Sequence, residues 1–255
     1  MRFDIRYLTC FSYPEAVRES HNVLRACPMS DPRQELLSYR VSTTPASRVF
    51  SYVDYWGTRV DSFGVRRAHP RLEVVAEMVV DTEAPALPAW AAAMASGEGT
   101  ADAGVTRAAL AAPDFARAHL EYLEPSPHVR WDAELRRRAE EWIAGVGDDA
   151  GGAIGVPARY VSGYLFSDSS TRGELPPGGV VDVKTHAWVE VALPGDGWVP
   201  LDPTTQRPVG ERHVKIGHGR DYDDVLPLRG VYHGDAEHQL DVVVRMRELA
   251  SSQQQ

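Results

Sequence analysis

The chain has 255 residues, 43% hydrophobic and 25% charged, with a formal net charge of -9 and a pI near 5.5. This composition suits a globular protein of one large or two small domains with a sizeable core, and disfavours disordered and fibrous classes. The acidic balance argues against nucleic-acid or anionic-membrane partners, and no apolar run approaches the roughly 20 residues of a membrane span.

The first residues, "MRFDIRYLTCFSYPEAVRES", alternate polar and apolar side chains and lack a signal-peptide core, from which a cytoplasmic location is expected. From Arg2 to about Val80, aromatic and β-branched residues recur at period two in "RFDIRYLTCFSY", "LLSYRVSTT", "RVFSYVDYWGTRVDSFGV" and "RLEVVAEMVV". The pattern predicts an antiparallel β domain over residues 1–82, with a tight turn at Gly57. The composition changes near Thr82. Residues 84–144 are rich in Ala, Leu, Arg and Glu, and "AELRRRAEEWI" spaces its apolar residues as a helix does. Two to four helices are expected there, interrupted by a loop at "ASGEGTADAG". After Gly155 strands return in "ARYVSGYLF", "HAWVEVAL", "GWVPLDPT" and "HQLDVVVRMREL", ahead of a frayed "SSQQQ" tail. The predicted class is α+β, with a β domain at 1–82 and a mixed core at 83–250.

The stretch "HAWVEVALPGDGWVPLD" carries the pair with recognisable chemistry, His186 and Asp202. "LPGDG" reads as the turn of a hairpin. With a five-residue loop from Leu193 to Gly197, Ala192 faces Trp198 and Asp202 faces Trp188. His186 then becomes the diagonal neighbour of Asp202 at roughly 7 to 8 Å between backbone positions, a gap two side chains bridge. A four-residue loop would put them on opposite faces. In such a pair the carboxylate accepts one imidazole N–H and leaves the other nitrogen to activate a nucleophile; the alternative is a strand histidine with a satisfied structural hydrogen bond.

Nothing in the sequence points to a cofactor or a metal. Cys10 and Cys27 are expected to be free thiols without metal-type spacing, and His213 and His218, five apart, come nearest to a ligand pair. "GGV" at 178–180 follows two prolines and cradles no phosphate. Arg159 and Tyr160 are expected to brace the sheet edge, with lining a cleft as the alternative, Gly163 to mark a bulge or close backbone approach, Asp148 and Asp149 to be loop charges, and Arg220 to Tyr222 to anchor the C-terminal strands.

Three stretches, "GVPARYVSGYLF" (155–166), "THAWVEVALPGDGWVPLDPT" (185–204) and "HGRDYDDVLPLRGVY" (218–232), resemble the bacterial transglutaminase-like family of papain-like cysteine enzymes. The first 65 or so residues are similar to the N-terminal β domain that precedes the core in these proteins. The resemblance covers nearly the whole chain. It implies a transglutaminase-like α+β core, a protein or peptide substrate, His186 as the catalytic histidine and Asp202 as its orienting aspartate, with Trp188 and Trp198 as packing and wall residues.

The family's nucleophile is a cysteine that opens a helix leading into the "PARYVSGY" motif, where the helix N-terminus favours the thiolate. Here residues 143–154, "IAGVGDDAGGAI", contain no Cys, Ser or Thr and are too glycine-rich for that helix. The expectation is a core incomplete around 143–154 that lacks the nucleophile helix, keeps His186 and Asp202, and is catalytically degenerate. The alternative is an active Cys-His-Asp acyl-transfer enzyme whose native form retains the missing segment. A homo-oligomer that covers the surface left by the absent helix is compatible with the degenerate form.

Overall fold

The computed structural model describes residues 1–89, 91, 107–128, 156–167, 179–205, 207–234 and 239–250. Its strands, in chain order, are β1 (Arg2–Val17), β2 (Ser20–Leu24), β3 (Gln34–Thr44), β4 (Val49–Val53), β5 (Arg59–Val65), β6 (His69–Thr82), β7 (Ala158–Leu165), β8 (Val180–Val183), β9 (Thr185–Leu193), β10 (Gly197–Asp202), β11 (Arg207–Pro208), β12 (His213–Gly219), β13 (Leu228–Tyr232) and β14 (Gln239–Leu249). They form three sheets, ordered β3-β6-β1-β14-β8, β13-β2-β5-β4 and β11-β10-β9-β7-β12. All the strand pairs are antiparallel.

Strands dominate the described residues. The helical elements there are short: Arg107–Leu110, Pro113–Ala118, and 3-10 turns at Leu120–Tyr122 and Tyr222–Val225. The α+β expectation is met in part: what is described is mostly antiparallel sheet. The helix expected at "AELRRRAEEWI", the segment 143–154, Asp148, Asp149 and the "SSQQQ" tail all lie outside the described residues.

The expected N-terminal strands appear as β1, β3, β4, β5 and β6, because period-two patterning puts Phe3, Ile5 and Tyr7 inward and leaves the alternate residues less buried. β1 is central, paired with β6 on one side and β14 on the other. Short β2, β8, β12 and β13 carry weaker alternation, and the sequence did not announce them. Sheet membership crosses residue 82: β8 and β14 join the sheet of β1, and β13 joins the sheet of β2. The tight turn at Gly57 is present at φ 78°, and the Asp54 carboxylate caps it by accepting from the N–H groups of Trp56 and Thr58.

The β7-β9-β12 sheet has two unlike faces. On one, Tyr164, Phe166, Val214 and Ile216 join Phe3, Ile5, Tyr7 and Met78 in a single buried apolar cluster. This burial of large side chains ties the two sheets together, at about 25 cal/mol per Å2 of apolar surface removed from water. The other face presents His186, Trp188 and Glu190 from β9, and the site is built there.

Candidate functional site

The hairpin of β9 and β10 pairs Leu193 with Gly197, Ala192 with Trp198 and, three steps further, Val189 with Leu201. The predicted register is the observed one. Gly195 and Gly197, at φ 92° and 71°, supply the left-handed backbone that the turn needs. The next step of this ladder sets Asp202 opposite Trp188, so His186 is its diagonal neighbour. The side chains close the gap: His186 Nε2 lies 2.8 Å from Asp202 Oδ2. The histidine side chain is 15% exposed and the aspartate 0%.

Asp202 is held from both sides. Its Oδ1 accepts from the backbone N–H groups of Thr204 at 2.9 Å and Thr205 at 3.2 Å. Its Oδ2 accepts from Thr205 Oγ1 at 2.7 Å and contacts His213 Nε2 at 3.2 Å as well as His186. Burial opposes ionisation, but the donors from His186, Thr205 and His213 outweigh it and hold the carboxyl below the usual range. With Nε2–H engaged on Asp202, His186 offers Nδ1, which no hydrogen bond engages among the described residues. That is the arrangement of an oriented base: one nitrogen fixed, the other available to a proton.

The thiols stand elsewhere. Cys10 and Cys27 are free and buried. Burial pushes the Cys27 thiol up to about 12, the opposite of an activated nucleophile. Tyr164 donates to the carbonyl of Ala26, beside Cys27, at 3.2 Å. Tyr164 follows Gly163, which is paired with His186, so its side chain points to the far face of the sheet. Cys27 therefore lies across the sheet from His186.

A second polar cluster on the same face was not anticipated. Lys215 Nζ donates to both Glu190 oxygens at 2.9 and 2.7 Å, and Arg159 Nε donates to Glu190 Oε2 at 2.6 Å. Arg159 also lies 4.0 Å over the Trp198 ring and donates to His218 Nε2 at 3.1 Å. The expectation that Arg159 braces the sheet edge is corrected: β7 lies inside the sheet, and Arg159 closes a buried ion network. Burial pulls the Lys215 ammonium down to about 8, against the pull of Glu190. It works against the Glu190 charge too, but Lys215 and Arg159 keep that carboxylate below its ordinary value.

The other expected residues have clear places. At Gly163 a Cβ would lie 2.2 Å from Val214 O and 2.6 Å from the Trp188 ring, a close approach that only glycine permits. Trp188 is buried, and its ring meets His213 edge-on at 5.3 Å. Trp198 packs against Tyr122 and His119. Tyr160 packs edge-on against Tyr222, Arg220 pairs with Asp224, and Asp221 caps the 3-10 turn at Tyr222–Val225 by accepting from Asp223 N.

His213 and His218 do not form the pair their spacing suggested, since the first contacts Asp202 and the second Arg159. His186, Asp202 and His213 do converge, with one ligand atom from each lying within 4.8 Å of the others, so the donor set of a metal centre is present. Their hydrogen bonds do not suit one. Gly210 N–H donates to His213 Nδ1 at 3.1 Å, whereas a histidine that ligates through Nε2 needs a proton on Nδ1 and an acceptor beside it.

Comparison with known proteins supplies context for this geometry. Residues 3–81 match the bacterial transglutaminase-like N-terminal region, and residues 150–203 match the transglutaminase-like superfamily. An uncharacterized Mycobacterium leprae protein is 32% identical over 287 residues, covering 98% of this chain and 99% of its own length. A protein-glutamine gamma-glutamyltransferase of Pseudomonas aeruginosa is 45% identical over 58 residues, 21% of this chain and 8% of the transferase. Among solved structures, a candidate cysteine protease from Cytophaga hutchinsonii superposes with a TM-score of 0.54 at 16% identity, over 96% of this chain and 90% of that one. At that identity the likeness is one of fold.

Proposed function

Because this chain belongs to the bacterial transglutaminase-like family, we propose that it is a degenerate member that retains the base and its orienting carboxylate, His186 and Asp202, without the cysteine they serve. The observation that carries this reading is the 2.8 Å contact of His186 with a fully donor-saturated Asp202, in a chain whose only two cysteines are buried. The dyad has the form used in acyl transfer, in which histidine takes the thiol proton and aspartate fixes its tautomer. Without a thiol at Nδ1, the site is left to bind protein or peptide rather than to turn it over. Residues 1–82 form the β region of this reading and residues 83–250 the core, which borrows the first sheets as its packing partner.

A second reading is an active Cys-His-Asp acyl-transfer enzyme whose native form keeps the missing segment. The mycobacterial alignment favours it in one respect. It spans 287 residues against the 255 here, so the relative carries residues with no counterpart in this chain.

Labelling of the full chain with a chromogenic disulfide near neutral pH separates the two. The degenerate reading expects slow labelling of both thiols at the same rate in the parent protein and in His186→Ala. A thiol that labels fast, and slows in His186→Ala, overturns it. The mass of the native protein is a further check: 28.1 kDa agrees with the degenerate reading, and several kDa more favours the enzyme.

A further inference from the structure

We propose that His213 is a positioning residue which, held as its Nε2–H tautomer, shares the Asp202 carboxylate with His186 and thereby sets how tightly that carboxylate holds the His186 proton. The inference rests on His186 and Asp202 being the retained dyad. It begins from a donor of unambiguous identity. The backbone N–H of Gly210 can only donate, and it points at His213 Nδ1 at 3.1 Å. A neutral His213 therefore carries its proton on Nε2, which faces Asp202 Oδ2 at 3.2 Å. The tight turn that makes this possible is closed a second time, by His213 N donating to Gly210 O at 3.0 Å.

Oδ2 thus accepts from three side chains, His186, His213 and Thr205. Donors to one oxygen draw on the same electron density, so each weakens its rivals. Removing the His213 donor leaves a more basic carboxylate, and a more basic carboxylate holds a His186 imidazolium more firmly. His213 itself is kept neutral: burial lowers its basicity, Asp202 opposes that shift and a charge on His186 adds to it. Among the described residues these two are the titratable groups that face it. Nδ1 of His186 has no hydrogen bond among the described residues and is the ring nitrogen of the pair left to the site's chemistry. The same tautomer is the wrong one for ligating a metal through Nε2, which ranks positioning above metal binding at this cluster.

The test is the nitrogen NMR of histidine-labelled full-length protein between pH 5 and 8, with His186 assigned from His186→Asn. His213 is expected to stay the neutral Nε2–H tautomer across this range. His213→Phe is expected to raise the His186 midpoint by roughly half a pH unit, the scale of one lost competing hydrogen bond. His213→Gln, which can accept from Gly210 and donate to Asp202, should restore it. A merely structural His213 would leave that midpoint alone. The proposal is overturned by an Nδ1–H tautomer at His213, by an unmoved His186 midpoint in a folded His213→Phe protein, or by one equivalent of zinc that binds the parent and not His213→Phe. The tautomer is read in the unsubstituted chain, so it survives a variant that fails to fold. Fast thiol labelling would end the degenerate reading and leave this inference standing, so the two fail separately.

Discussion

The Arg159–Glu190–Lys215 network and the His186–Asp202 pair stand on one face of one sheet, four residues apart along β9, and differ in what they leave open. Glu190 and Lys215 are each about 4% exposed, and both Glu190 oxygens are taken up by cations. His186 keeps 15% of its side chain in contact with solvent and one nitrogen without a partner among the described residues. A closed network of charges fixes a structure. A pair with one nitrogen unengaged among the described residues leaves a direction open for chemistry, while Thr204 and Thr205 hold its aspartate from the loop.

That comparison is broken most forcefully at Glu190. Glu190→Ala leaves Lys215 and Arg159 without their counter-charge in a buried site, and the expected loss is about 3 to 5 kcal/mol. Urea unfolding reads it directly, and a loss under about 1 kcal/mol would mean that water or a rearranged carboxylate replaces Glu190.

The next effect is one of pH and belongs to His218, which borders the same network. Arg159 can only donate, so His218 Nε2 accepts and its proton sits on Nδ1, which is buried without a partner among the described residues. Burial, with help from the Lys215 and Arg159 charges, lowers the imidazole to about 3. The unfolded chain therefore takes up a proton near pH 6.5 that the folded chain refuses until about pH 3. Stability from this group is complete above the unfolded value and falls with acid, by up to about 1.4 kcal/mol per pH unit. His213 adds to the slope at its upper end, because its basicity is lowered too. Unfolding midpoints measured from pH 7 to 4.5 should show this decline, and His218→Gln should flatten it.

The smallest effect is expected at the open pair. His186→Ala removes a partly exposed ring and one of five donors to Asp202, and it should cost under about 1 kcal/mol. A cost comparable to that of Glu190→Ala would erase the distinction between the two clusters and make His186 a structural residue.

Much of the site was legible because hairpin register is a local property. Period-two alternation and an odd loop put His186 and Asp202 on the same face, and the glycines at 195 and 197 permit that loop. Gly163 was legible as well, since a strand glycine announces a close approach, here to Val214 and Trp188. Arg159 was misread because its partners come from β9 and β12, and no spacing within "PARYVSGY" reveals them. Most of the stretch from which helices were expected, including "AELRRRAEEWI", lies outside the described residues, so the strand-dominated picture comes from the rest of the chain.

Sequence alone determined the N-terminal strands, the hairpin that joins His186 to Asp202, and the restriction of cysteine to positions 10 and 27, because these depend on side-chain alternation, loop length and residue identity. Only the tertiary structure decided where His213 and His218 go. A one-residue bulge in β12 between Lys215 and Gly217 reverses the alternation, so His218 returns to the face that already holds His213 and Lys215. The pairing of β12 with β7 then delivers one histidine to Asp202 and the other to Arg159. The β12–β7 pairing that sets them joins residues more than forty apart in the chain, and local pattern carries no record of it.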